Sequence, residues 1–160
     1  MVIDNFLSKE DFDYVQNLFM EQNFPWFFTP DISQKNVQID NSSYMTHVLY
    51  FQDIPYTSVF HKMYPFFREK LEVKSLIRVK LNMHINCHTF RENPMHTDFP
   101  FSHRGALFSL NTCDGYTKLK DGTKVQSVAN RMLLFDPSKE HCSTNTTDTD
   151  RRVNINFNYF

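Results

Sequence analysis

Arg151-Arg152-Val153-Asn154-Ile155-Asn156-Phe157-Asn158-Tyr159-Phe160 ends the chain in an alternation of polar and apolar residues. Successive strand residues point to opposite faces, so Arg152, Asn154, Asn156 and Asn158 share one face, and Arg151, Val153, Ile155 and Phe157 share the other. In a half-exposed strand the asparagines would face water. If the apolar face instead lies beneath helices, the polar face lines a ligand-filled interior and Arg152 points into it. Arg151 then sits outside, beside Asp148 or Asp150, as a surface pair.

Upstream of this strand, the segments 75–86, 105–112, 123–128 and 131–136 read as further short strands separated by turn residues, a spacing typical of a sandwich or jelly roll. Lys120-Asp121-Gly122-Thr123 predicts a hairpin with a two-residue type I′ turn. With only three glycines in the chain, the other turns must rely on Asn and Asp. Before residue 73 the period is helical. Ser8-Lys9-Glu10-Asp11 reads as a capping box, and Phe12, Val15, Leu18 and Phe19 predict a helix over 9–22, ended by Asn23-Phe24-Pro25. A second helical stretch near 56–71 carries Val59, Phe60, Met63, Phe67 and Leu71, kinked or split at Pro65. The expected fold class is α+β, a double-stranded β-helix (jelly roll) with N-terminal supporting helices. One domain spans 1–160, with 1–72 mainly helical support and 73–160 carrying the catalytic strands. The Phe12-Val15-Phe19 stripe is expected to dock on the Val153-Ile155-Phe157 face.

Composition narrows the function classes. The 160 residues include 17 phenylalanines, enough to bury a core of large rings without disulfide or metal staples. Seventeen basic and 18 acidic residues give a net charge of −1, with both signs mixed along the chain. That leaves no electrostatic footprint for nucleic acid or an anionic membrane. Cys87, Cys113 and Cys142 are odd in number and lack CxxC spacing, which argues against a disulfide framework or structural zinc and for a reducing cytoplasmic setting. No basic stretch followed by a long apolar run opens the chain, and no segment approaches the ~18 apolar residues of a membrane span. The sequence carries no signal for oligomeric state.

The chemistry resides in His96, Asp98 and His141. On a strand, residues i and i+2 share a face, so His96 and Asp98 offer an imidazole nitrogen and a carboxylate oxygen to one ion, and His141 would complete a facial triad. Two imidazoles and one carboxylate suit non-haem iron(II) and leave positions for a bidentate 2-oxo acid and dioxygen. His-x-Asp alone is weak, since His96 also reads as a surface or satisfied polar histidine. Its context strengthens it: Phe99-Pro100-Phe101 follows, suited to screening a site, and Arg131-Met132-Leu133-Leu134-Phe135-Asp136-Pro137 is an apolar strand leading to His141. His47, His61, His88 and His103 have no such partners and are expected to be structural or solvated. Cys142 should point away from His141's side and stay chemically silent. Two neutral imidazoles, one carboxylate and Fe²⁺ sum to +1, and a 2-oxo diacid brings −2. A buried arginine would neutralise the remainder with a bidentate fork.

With these motifs in order, the chain resembles the 2-oxoglutarate and iron(II)-dependent dioxygenases, specifically the prolyl 4-hydroxylase-like branch, and is similar to small stand-alone members found in bacteriophages. The resemblance covers roughly 76–160 and rests on His96-Thr97-Asp98, Ser109-Leu110-Asn111, Leu133-Leu134-Phe135 before His141, and the closing strand. It implies Fe(II), 2-oxoglutarate and O2 as cofactors, with His96, Asp98 and His141 as iron ligands and Arg152 holding the distal carboxylate of 2-oxoglutarate. Family members often add a tyrosine hydroxyl to the co-substrate; the matching places here are His84, in Asn82-Met83-His84, and Ser109. The implied reaction oxidises a C–H bond of a small-molecule or peptidyl substrate, hydroxylation by default, with release of succinate and CO2. The competing reading is a cupin-like protein that binds a metal or small acid without turnover. A zinc hydrolase would need a His-Glu-x-x-His motif, which the chain lacks.

Overall fold

The computed structural model describes residues 1–30 and 44–160. In chain order the elements are β1 (Val2–Ile3), α1 (Lys9–Met20), β2 (Phe27–Thr29), β3 (Tyr44–Phe51), β4 (Ile54–Pro55), α2 (Val59–Met63) and α3 (Pro65–Arg68). There follow β5 (Leu76–Ile85), β6 (Arg104–Ser109), β7 (Tyr116–Leu119), β8 (Lys124–Gln126), β9 (Arg131–Phe135), β10 (His141–Ser143) and β11 (Arg151–Tyr159). All named pairings are antiparallel. The major sheet runs β1-β9-β6-β11-β5-β3-β2, with β4 on β3, and a second sheet runs β10-β7-β8. This is a jelly roll, a double-stranded β-helix, with the candidate site between its two sheets.

The closing strand is the centre of the major sheet. β11 pairs with β5 on one edge and β6 on the other, both its faces are buried, and alternation sorts its side chains. Val153, Ile155 and Phe157 join Val79 and Leu81 of β5, Phe108 of β6, and Val15, Phe19 and Phe67 of the helices in one apolar cluster. The Phe67 ring lies edge-on to Phe108 at 5.0 Å and tilted against Phe157 at 4.8 Å between centroids. Each fully buried ring of this kind contributes about 1.5–3 kcal/mol relative to exposure. The α1 stripe therefore docks as its periodicity predicts, with Phe12 edge-on to Phe108 at 6.0 Å. Ser8 caps α1 by accepting from the Asp11 amide at 3.1 Å.

Three expectations need correction. Residues 1–72 are not mainly helical, although 31–43 lie outside the described residues: β3 is an eight-residue strand paired to β5, and β1, β2 and β4 also fall there. The stretch near 56–71, by contrast, splits at Pro65 as its sequence predicts, into two short helices with Pro65 the first residue of α3. The Asp121-Gly122 hairpin exists, but its turn is not type I′. The Gly122 amide donates to Leu119 O (2.9 Å), and of these turn residues only Gly122 has positive φ, +87°, the pattern of a three-residue loop ending in a bulge glycine. A turn with two left-handed residues occurs instead between β3 and β4, at Gln52 (φ 52°) and Asp53 (φ 61°). Finally, Arg151 pairs with neither Asp148 nor Asp150. Its Nη2 donates to the Met20 carbonyl at 2.7 Å, placing a cation at the C-terminus of α1, whose last turn has no basic residue of its own.

Candidate metal centre

His96 and His141 are joined through their backbones. The amide of His96 donates to the carbonyl of His141, the amide of His141 donates back, both at 2.9 Å, and the Asp98 amide donates to Pro137 O at 2.9 Å. These bonds fix the chain so that one ligand atom from each of His96, Asp98 and His141 lies within 4.8 Å of the others. The imidazoles are oriented as well. His96 Nδ1 faces Pro94 O at 3.3 Å and His141 Nδ1 faces Lys139 O at 3.0 Å. A ring nitrogen facing a carbonyl must donate, which leaves each Nε2 its lone pair for a metal. Burial, then the neighbouring His141, push the His96 pKa down to about 4, so this ring is a neutral donor at physiological pH.

The carboxylate is held ionised by a cage. Asp98 Oδ2 accepts from Asn156 Nδ2 (3.1 Å) and Asn158 Nδ2 (2.8 Å), and Oδ1 is paired with Arg78 Nη2 at 3.2 Å. Burial alone would raise this carboxyl, but Arg78, His141 and the Asn158 hydrogen bond outweigh it and hold Asp98 well below the usual carboxylate range. His103 braces the cage from behind, its Nδ1 donating to Phe101 O (2.8 Å) while Nε2 takes a hydrogen bond from Asn158 (3.2 Å).

Opposite the carboxylate end lies Arg152, only 1% exposed. Nη1 donates to Thr144 O (3.1 Å) and Nη2 to Thr117 Oγ1 (2.9 Å), while Nε has no protein partner. Burial pulls its pKa down to about 10, and among the described residues it has no carboxylate partner. Gly115 makes room for it: a Cβ there would stand 2.6 Å from Arg152 Cδ. His84, across the β5–β11 ladder from Arg152, is driven well below the usual histidine range by burial and then by Arg152. Its ring stacks on Tyr44 at 5.3 Å and 10°.

The cavity between the sheets is walled by His84, His96, Asp98, His141, Asn154 and Asn156, together with Thr117, Tyr44 and Lys80. Its free space is about 40 Å³, and it shares Phe135 and His141 with an outer groove of about 430 Å³. Arg152 lies against Thr117, just outside this wall. Ser109 is buried on β6 opposite Asn154, away from the cavity lining. Cys142 does border the cavity, contrary to simple alternation, because β10 is only three residues long and the cavity follows all of it. Its thiol is raised by burial, and it is no part of the ligand cluster. His47 (bonded to Pro25 O at 2.8 Å) and His103 are satisfied core residues, and His61 and His88 are exposed.

Three site residues went unread in the sequence: Arg78, Lys80 and Tyr44. Alternation along β5 puts Arg78 and Lys80 on the face of Asn82 and His84, a signal present but indistinguishable from a solvated face. Tyr44 had no signal, since its place depends on how β3 registers against β5. The half-buried Lys80 donates from Nζ to Tyr44 Oη at 3.1 Å, and burial, then Arg78, lower its pKa to about 8.

No family model and no curated protein matches this sequence. Solved structures do match. A viral collagen prolyl hydroxylase from Paramecium Bursaria Chlorella virus-1 is 12% identical, with a TM-score of 0.65 over 99% of this chain and 93% of that one. A prolyl hydroxylase from Trichoplax adhaerens, in complex with a hypoxia inducible factor oxygen degradation domain peptide, is 14% identical, with a TM-score of 0.70 over 100% of this chain and 82% of that one. The non-heme alpha ketoglutarate dependent epimerase of nogalamycin biosynthesis is 12% identical, with a TM-score of 0.66 over 100% and 75%. The chain shares its fold with these two prolyl hydroxylases and the epimerase.

Proposed function

We propose that this chain is a 2-oxoglutarate- and Fe(II)-dependent oxygenase of the prolyl hydroxylase-like type. The observation that carries the reading is Arg152, a fully buried guanidinium without an acidic partner among the described residues, in the same interior as two imidazoles and a carboxylate with metal-ligand spacing. A buried unpaired charge is costly unless a ligand compensates it. The donor set fits iron(II), and the guanidinium fits the distal carboxylate of 2-oxoglutarate.

His96, Asp98 and His141 would hold the iron, which when bound supplies dioxygen activation coupled to decarboxylation of 2-oxoglutarate to succinate and CO2. The chain's own contribution is positional. Carbonyls of Pro94 and Lys139 fix the imidazole tautomers. Arg78, Asn156 and Asn158 keep Asp98 deprotonated and pointed inward. Arg152 fixes one end of the diacid, and the walls around His84, Leu107 and Phe135 limit water. Hydroxylation of a small or peptidyl substrate is the outcome we favour, and the free thiols of Cys87, Cys113 and Cys142 suit a reducing cytoplasm.

The test is anaerobic addition of Fe(II) and 2-oxoglutarate, watching for the visible metal-to-ligand charge-transfer band, followed by oxygen and assay of succinate. Band and succinate are expected from the wild type, and neither from Asp98→Ala. A wild-type protein that forms no band, or full iron occupancy with turnover in Asp98→Ala, would overturn the assignment. A band without 2-oxoglutarate consumption would leave a binding protein.

A further inference from the structure

We propose that Lys80, braced by the Tyr44 hydroxyl, binds a carboxylate of the primary substrate, so that the molecule oxidised in this cavity is an anion. The inference rests on the oxygenase reading and goes beyond it by naming the chemical class of the substrate. Along the floor of the cavity, β5 and β11 pair Arg78 with Asn158, Lys80 with Asn156, Asn82 with Asn154 and His84 with Arg152. Two ends of this ladder are committed. Arg78 and Asn158 hold Asp98, and Arg152 awaits the distal carboxylate of the co-substrate.

Lys80 stands between them without an ion-pair partner among the described residues, Asp98 acting on it only from a distance. Its ammonium donates to Tyr44 Oη at 3.1 Å and lies 5.4 Å from that ring's centroid. Among the described residues no carboxylate lies within ion-pair distance of it. A hydroxyl and a ring face orient an ammonium without neutralising it, whereas a carboxylate does both. Charge balance points the same way. Two neutral imidazoles, Asp98, Fe²⁺, the dianionic co-substrate and Arg152 already sum to zero. Arg78 and Lys80 then leave the loaded site with two positive charges in excess, in surroundings of low dielectric where such an excess selects an anion. Lys80 and Tyr44 both form part of the cavity wall, so the ammonium is within reach of whatever enters beside the co-substrate.

The same ammonium chemistry would suit the co-substrate's own carboxylates, and the experiment separates the two sources. The full chain is loaded anaerobically with Fe(II) and 2-oxoglutarate. It is then titrated with N-acetylated L-amino acids, each beside its C-terminal amide, so that an anion and a neutral molecule of nearly the same shape are compared. Arrival near the iron is read as a shift of the charge-transfer band. Acids are expected to shift the band at concentrations where their amides do not, and Lys80→Met to lower that preference roughly 30-fold, with Lys80→Arg retaining it. An intact band that no acid shifts more than its amide overturns the inference alone. So does a preference that survives in Lys80→Met, or a Lys80→Met variant whose loss falls on 2-oxoglutarate affinity instead. Absence of the band in the wild type sinks the oxygenase reading, and the inference with it.

Discussion

Arg151 and Arg152 are consecutive, chemically identical and placed on opposite faces of one strand, so they report on different properties of the protein. Arg152→Met is expected to remove a charge-assisted contact and leave a co-substrate carboxylate buried alone, costing about 2–5 kcal/mol in 2-oxoglutarate binding. Arg151→Ala should leave that affinity unchanged and instead lower stability by about 1–2 kcal/mol, since it takes a charged hydrogen bond from the end of α1. Calorimetric titration beside chemical denaturation of both variants checks this; the larger binding loss in Arg151→Ala would mean the facing of β11 is inverted. Gly115 is tied to the same arginine. An alanine there would press on Arg152 Cδ and on the Asn145 carbonyl oxygen, each 2.6 Å from its Cβ. Backbone cannot yield easily, so the guanidinium must. Gly115→Ala should therefore cost about 1–3 kcal/mol of stability and weaken 2-oxoglutarate binding, although residue 115 touches no ligand. Unchanged affinity in a folded Gly115→Ala would show that Arg152 is not held by this fit.

At the scale of elements, the β7–β8 hairpin connects turn chemistry to the site, because β7 carries Thr117, which holds Arg152. Gly122 has open space around it but a φ of +87°, so Gly122→Ala introduces backbone strain without a clash. A loss of about 1 kcal/mol is expected in thermal unfolding, with faster amide exchange confined to the hairpin; an unshifted melting temperature would count against the turn described. The strands β5 and β11 were legible because their apolar and polar residues alternate with strong contrast, and β6 and β9 because they are short apolar runs bounded by turn residues. β3 was not, since Tyr44-Met45-Thr46-His47-Val48-Leu49-Tyr50-Phe51 has little contrast to read and its following turn uses Gln52 and Asp53 in place of glycine. β1, β2 and β4 are two or three residues long and owe their form to neighbours. The cluster of His96, Asp98 and His141 could be found from residue type and spacing. The cations around it could not, because a lysine or arginine on a strand reads the same whether it faces water or a cavity, and only the register of β5 against β11 decides between them.

For the whole molecule, the buried bases make stability depend on pH in a defined direction. His96 stays neutral in the fold down to about 4, whereas in the unfolded chain it takes a proton near 6.5. Between these values the unfolded state binds more protons, so stability falls as pH drops through that window, by up to about 3 kcal/mol from His96 alone; His84 adds in the same direction. Lys80, lowered to about 8, acts likewise at the alkaline end, where stability should rise between pH 8 and the ordinary lysine range. The metal-free protein is thus expected to melt at higher temperature at about pH 7 than at about pH 5, and added Fe(II) should shift the acid loss to lower pH by competing with protons. A flat profile between these pH values would contradict the burial of His96. Chelation is the complementary test. Metal at a hundredfold excess over its Kd stabilises by only about 2.7 kcal/mol, so stripping it should lower the melting temperature without abolishing cooperative unfolding. That outcome follows from the reciprocal backbone clasp between His96 and His141. The peptide chain itself sets the spacing of the two imidazoles, so the cluster is expected to hold its arrangement before any metal arrives. Capture of a metal would then cost little reorganisation entropy, and a stripped site would keep its shape for reloading.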